Sequence, residues 1–349
     1  MKFRLKKSIM FLMLLLMCLP AMAGDQPDSL FTEFKENFKK EYFSVGALFQ
    51  AVTDFQIERS FSGNNGFNIS NMRINFSGIF DGGFGYFFQG NLIDSPSILS
   101  ADMFYETSPA FRLTVGLFKA PFSKEFLTSA ANIDFVNRSQ IVTYFAPRWQ
   151  IGVQASGWFR NSSLYYAGGL FNGNGFDGNN NDNNNFMAVG RIAYYPRKIN
   201  QSADKHLEAG FNFAHSKDDN LDLGSGLYPH FFGKRTLVGA DFRYIMDRWL
   251  FAGEIISASL EPGLGREISP YGFYLTVGDM LSAKSQILFR WDSFHSDGLL
   301  YPDQDSDLLI LGYNYWPTRV TELQVNYIIR TQDMEFEHSQ ILVNAQVAF

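Results

Sequence analysis

Three residue spacings in this chain could carry chemistry, and in each case the flanking sequence decides. Gly173-Asn174-Gly175-Phe176-Asp177-Gly178 has the glycine spacing of a dinucleotide-binding turn. Such a turn works only where it opens a helix whose N-terminus faces a pyrophosphate. Here it runs into residues 179–185, and eight of the fourteen residues from Asn172 are Asn, so the stretch reads as an external loop. Asp303, Asp305 and Asp307 alternate as the first ligands of a calcium loop would, and so do Asp218, Asn220 and Asp222. Neither run has Gly at the sixth position or Glu at the twelfth, so these are read as solvated loop acids and no metal is assigned. His215-Ser216, His295-Ser296 and His338-Ser339 each set a base beside a nucleophile. Neighbours on a strand point to opposite faces, so no pair forms a dyad by itself, and only a dyad from distant strands stays open.

The N-terminus is a targeting signal. Lys2, Arg4, Lys6 and Lys7 precede an apolar run from Ile9 to Leu19, a break at Pro20 and Ala21-Met22-Ala23, so residues 1–23 read as a cleavable secretory signal. The run is shorter than the roughly 20 residues of a spanning helix. The single cysteine, Cys18, lies inside this segment, and Leu15-Leu16-Met17 before it lacks the small residue of a lipoprotein signal. The mature chain then has no thiol, which excludes disulfides and cysteine chemistry. It keeps 25 basic against 35 acidic residues, a net of −10, and nucleic acid is excluded as a partner.

The elements that position everything else are strands. Of 349 residues, 46% are hydrophobic and 17% aromatic, which rules out disorder. Alternation with period two recurs: Ile341, Val343, Ala345 and Val347 against Gln340, Asn344 and Gln346; Leu323, Val325, Tyr327 and Ile329 against Glu322, Gln324, Asn326 and Arg330. One face suits lipid and the other water. No later segment has 18 consecutive apolar residues, so a membrane form must be a closed barrel.

Sixteen candidate strands follow Tyr42, uncertain by two. Links after even-numbered strands are mostly tight, as at Asp81-Gly82-Gly83 and Met246-Asp247-Arg248. Links after odd-numbered ones are mostly long and polar, as at 119–149 and 216–233. The fold class is therefore all-β, a transmembrane antiparallel β-barrel with short periplasmic turns and long external loops. Tyr42, Trp149, Tyr195, Trp249, Tyr271 and Trp316 at strand ends fit two aromatic girdles. Residues 24–41, with Phe31, Phe34 and Phe38 at helical spacing, read as a periplasmic helix or tether before the barrel at 42–349.

Specific motifs sit at the fifth strand and its loop: Val115-Gly116-Leu117-Phe118-Lys119-Ala120-Pro121-Phe122-Ser123, then Arg138-Ser139, then Ala146-Pro147-Arg148-Trp149-Gln150-Ile151-Gly152-Val153. Their order resembles the phosphate-selective porin O and P family, with its VGxFKxPFS, E-R-S and PxRxxGV elements. Gly272-Phe273-Tyr274, Gly312-Tyr313-Asn314-Tyr315 and the terminal Phe349 extend the likeness over nearly the whole mature chain. Asn137 departs from the acid the family tends to place before the arginine. The resemblance implies a sixteen-stranded homotrimer in a Gram-negative outer membrane, with the third external loop constricting the channel.

Charge placement gives the candidate path. A basic side chain on the lipid face at mid-membrane costs roughly 2–4 kcal/mol. Arg73, Arg112, Arg160, Arg191, Arg243, Arg290 and Arg330 are therefore assigned to the lumen, as are Asp102, Glu106, Glu208, Asp241, Glu254, Asp292 and Glu322. Seven against seven is no arginine ladder. The third loop carries Lys119, Lys124, Arg138 and Arg148 against Glu125 and Asp134, a net of +2 where the field is most focused. Lys124 adjoins Glu125 and can pair with it. The expectation is a porin for small hydrophilic solutes, without a cofactor and with a preference for anions such as phosphate. The alternative is a barrel enzyme or surface-binding protein whose channel is incidental.

Overall fold

A computed structural model describes residues 42–56, 58, 65–93, 97–159, 162–175, 181–196, 205–223, 228–297, 305–332, 334 and 336–349. The signal at 1–23, the segment 24–41, Arg160 and Asp303 lie outside these residues, as does the end of the glycine run from Phe176.

Sixteen antiparallel strands close into one barrel. They are β1 (Ser44–Gln56), β2 (Gly66–Ile79), β3 (Phe84–Asn91), β4 (Ser97–Ser108), β5 (Phe111–Lys119), β6 (Trp149–Phe159), β7 (Leu164–Phe171) and β8 (Met187–Tyr194). The second half is β9 (Lys205–Leu223), β10 (Tyr228–Met246), β11 (Trp249–Pro262), β12 (Tyr271–Ser282), β13 (Ser285–His295), β14 (Ser306–Tyr315), β15 (Thr321–Arg330) and β16 (Gln340–Ala348). Each strand pairs with the next, and β1 closes on β16 with Thr53 opposite Val343. The Phe349 amide donates to Ala47 O at 3.1 Å, so the last residue belongs to the seam.

Alternation supplies the two faces. On β12, Val277 is 41% exposed toward lipid while Thr276 beside it is 2% exposed toward the lumen. The register carries the same parity around the wall, and all the described members of the lumen set, seven acids and six arginines, face inward.

Two expectations are corrected. The link 216–233 is not a long loop: β9 and β10 are each 19 residues and run on to Leu223 and from Tyr228. A membrane crossing needs only about 9–11 residues, so the hairpin projects beyond the lipid and keeps its ladder, with Leu223 and Phe231 buried in the apolar cluster that packs the third loop. The girdle also divides. Tyr42, Trp249 and Tyr271 are exposed on the outside. Trp149 turns inward against Phe126, Tyr195 bonds Glu208 inside, and Trp316 bonds Glu322 inside. Position at a strand end fixes depth but not face, because turns shift parity.

A closed hydrogen-bonded wall resists detergent until heated. Unboiled protein is expected to migrate differently from boiled protein on a denaturing gel and to give a β-type circular dichroism spectrum. A helical spectrum would contradict the fold.

Candidate functional site

The link between β5 and β6 turns into the barrel. It forms a short helix α1 (Lys124–Leu127), a 3-10 turn (Ala130–Asn132) and a helix α2 (Gln140–Phe145). Ser123 Oγ caps α1 by accepting from the Phe126 amide at 3.1 Å. Phe122, Ile141 and Phe145 are wholly buried against the wall. The wall makes room with glycine: a Cβ on Gly272 would lie 3.0 Å from Ile141 Cβ, and one on Gly312 would lie 2.9 Å from Phe135 Cε1. Both glycines belong to the motifs carried by β12 and β14.

Ion pairs fasten the loop to the β8–β13 side. Arg290 Nη2 donates to Glu125 Oε1 at 2.6 Å, and its guanidinium stacks on Phe135 and Tyr274 at 4.3 and 4.4 Å. Glu125 Oε2 also accepts from the Ser139 amide and hydroxyl, both at 2.8 Å. Arg243 binds Asp134 through two bonds of 2.6 and 2.9 Å. The Gln140 amide donates to Asp292 at 3.1 Å. Lys124 does not pair with its neighbour Glu125. It reaches Glu208, which Arg191 also holds at 2.9 Å while binding Asp241.

Neutral amides hold the rest. Gln50, Gln346 and Gln324 donate to the Ala130, Ala131 and Ile133 carbonyls at 3.2, 2.9 and 3.0 Å, and Asn326 accepts from the Val136 amide at 2.8 Å. This role was missed in the sequence, although inward amides on β1, β15 and β16 are its signal. Arg235, paired with Asp218 at 2.8 Å, was missed as well.

The remaining cations gather on the other flank. Lys119 Nζ donates to the Phe126, Leu127 and Thr128 carbonyls at 2.6, 3.3 and 3.1 Å. Arg138 donates to the Glu125 and Thr128 carbonyls at 3.2 and 2.9 Å, and Arg148 to Thr143 O at 2.7 Å. Arg73 on β2 donates to Asn71 at 2.8 Å. Carbonyls and amides satisfy donors without cancelling charge. Among the described residues Lys119, Arg138 and Arg73 form no ion pair. Burial lowers the Arg138 pKa from its ordinary value, opposed by Glu125 and reinforced by Arg148; a guanidinium starting so high stays charged at neutral pH.

These cations gather where two cavities of the barrel adjoin. An external vestibule of about 670 Å³ and a periplasmic one of about 1350 Å³ share Arg73, Ala130 and Trp149 in their linings. The two cavities therefore adjoin between the loop and the β1–β6 wall. Arg138 and Arg148 line the outer side, and Lys119 and Arg112 the inner. Arg112 pairs with Glu106 at 3.0 Å, and Arg330 faces inward on β15 by register. Of the four predicted constriction residues the structure thus gathers Lys119, Arg138 and Arg148 and leaves Lys124 fastening the loop.

No His-Ser pair shares a face: His215 is exposed and bonds Thr236 at 2.9 Å, while Ser216 is buried. Among the described residues no group of three His, Cys, Asp or Glu could hold a metal ion.

The family model for phosphate-selective porin O and P matches residues 43–265, more than half of the chain. The chain belongs to that family. An anion-selective porin from Comamonas acidovorans has the same fold at 14% identity and a TM-score of 0.65, over 88% of this chain and 99% of the other. The OmpT outer-membrane protein of Vibrio cholerae, solved in a trimer form, matches at 10% identity and 0.58, over 88% and 99%. The outer-membrane channel DcaP of Acinetobacter baumannii matches at 10% and 0.58, over 89% and 99%. No curated protein matches the sequence. Family and barrel together make the protein an outer-membrane porin of a Gram-negative bacterium.

Removing one partner of a buried pair costs roughly 3–5 kcal/mol because the other charge is left unmatched. Glu125→Ala is expected to free the loop of this porin without opening the wall, giving noisier open-channel current and faster proteolysis at 120–148. Gly312→Leu, which drives a side chain into Phe135, is expected to raise conductance. Wild-type noise and conductance in both would show that the loop is held by other means.

Proposed function

We propose that this porin passes small hydrophilic solutes by passive diffusion, that it prefers anions such as phosphate, and that it performs no chemistry on them. We also infer a homotrimer, an assembly supported by the trimer form of the Vibrio cholerae relative in fold. The observation that carries the anion reading is the division of charge across the lumen. Glu125, Asp134, Glu208 and Asp241 are engaged with cations on one flank. Lys119, Arg138 and Arg73 face the junction of the two cavities with only neutral acceptors, and Arg148 stands beside them at the loop's return to the wall. Charge at a water-filled constriction acts on every passing ion, whereas charge on outer loops is screened within about 8 Å at physiological salt.

The test is the zero-current potential in a salt gradient across a planar bilayer. Wild type is expected to be anion-selective. Arg138→Gln with Arg148→Gln should shift it toward cations by about 1 kcal/mol per charge, roughly fivefold in permeability ratio, as for a unit charge about 15 Å away at an effective dielectric near 20. Lys124→Gln with Glu208→Gln, which removes both charges of that pair, should shift it little. A cation-selective wild type would replace this reading with a general porin of acidic character.

Shortening the loop within 124–140, with β5 and β6 intact, should raise conductance. Liposomes that show no solute flux would instead favour a barrel with an incidental channel.

A further inference from the structure

The wetted inner face of a barrel this wide is ordinarily polar, yet four aromatic side chains point inward toward the periplasmic end: Phe87 on β3, Phe104 on β4, Trp158 on β6 and Tyr165 on β7. Register fixes this direction. Phe87 lies opposite Asp102, Phe104 opposite Gly85, and Trp158 opposite Tyr165. None of the four belongs to the buried clusters that pack the loop, and each is only partly buried. Loop packing therefore does not account for them.

They occupy the flank that carries the cations. Phe87, Phe104 and Tyr165 line the periplasmic vestibule together with Arg73, Lys119 and Arg112. Arg112 lies flat on the Phe104 ring, 3.6 Å from its centroid, while its side chain stays 40% exposed. Phe87 has no ring partner among the described residues and leaves a face to the water. On the opposite wall the inward positions at this depth are Arg243, Gln286, Asn314 and Glu322, with Trp316 the aromatic among them and its indole engaged by Glu322.

We propose that the periplasmic vestibule binds small aromatic carboxylates in transit, with the ring on Phe87 or on Tyr165 and the carboxylate on Arg112, Lys119 or Arg73. This rests on the anion reading above and narrows its solute class. Phenylalanine offers a ring no hydrogen bond, so these surfaces fit an aryl group better than a sugar, and clustered cations fit a carboxylate. The vestibule volume of about 1350 Å³ exceeds what a single-ring acid needs, so such a solute is retarded without plugging the channel.

The experiment is chloride current through the full porin in a planar bilayer, with benzoate, acetate, phosphate or glucose added on the periplasmic side. Benzoate is expected to interrupt the current at concentrations where the other three do not. Phe87→Ser with Tyr165→Ser should weaken that block roughly two- to tenfold, the worth of one aromatic contact. Chloride conductance and selectivity should stay at wild-type values. Phe87→Leu with Tyr165→Leu, which keeps bulk without an aromatic face, guards against a folding defect and should also weaken the block. Equal block by acetate or phosphate, block by glucose, or undiminished benzoate block in that leucine variant would overturn the proposal. A cation-selective wild type would instead overturn the anion reading beneath it.

Discussion

The buried pair between Glu125 and Arg290 is the interaction on which the rest of the channel depends. A connection as long as the one between β5 and β6 would gain conformational entropy by leaving a water-filled lumen. It stays because its carboxylate meets a wholly buried guanidinium clamped between Phe135 and Tyr274. Neither charge tolerates the loss of the other at that depth. Once Glu125 is fixed, it holds Ser139 at the start of α2, so the two ends of the loop's inward excursion are tied to a single carboxylate.

That fastening decides the electrostatics as a by-product. Each acid used to hold the loop is removed from the field felt by a passing ion, and each sits on the β8–β13 side. Beside the passage Arg73, Lys119, Arg138 and Arg148 outnumber Asp54, Asp102 and Asp292, which line the same vestibules, although residues 24–349 are acidic in sum. Net charge is a property of the sequence, whereas the field at a constriction depends on which charges have a partner. Seven acids against seven arginines in the lumen is a balanced count but not a balanced arrangement.

The fold was legible because lipid on one side and water on the other impose a period of two, and loop length fixes which rim a link belongs to. The third loop was legible from its length and its motifs. The pairing inside it was not. Lys124 and Glu125 are adjacent in sequence, yet neighbouring helical residues do not face each other, and each finds a partner on a different strand, β9 and β13. Trp149 was placed at a girdle because it stands at a strand end, but the left-handed turn at Arg148, with φ of 62°, directs it into the lumen. The lower part of the β9–β10 hairpin alternates as a membrane strand does; its upper part mixes Lys217, Asp218, Asp219 and Asn220 with Leu221, Leu223 and Phe231 and could be told from a loop only by its pairing.

The choice of neutral fasteners near the passage follows from the same constraint. Gln50, Gln324, Asn326 and Gln346 hold the 130–136 segment through its carbonyls and one amide, where ion pairs do that work on the far side. A carboxylate in place of Gln50 on β1 would stand on the strand next to Arg73, linked to it through Asn71. It would neutralise the charge that faces the solute. An amide supplies the same hydrogen bonds with a dipole in place of a unit charge, and its field falls off faster with distance. The wall therefore separates two tasks by residue type: ionised pairs where the loop must be anchored against water, and amides where the anchor must leave the field of the arginines intact.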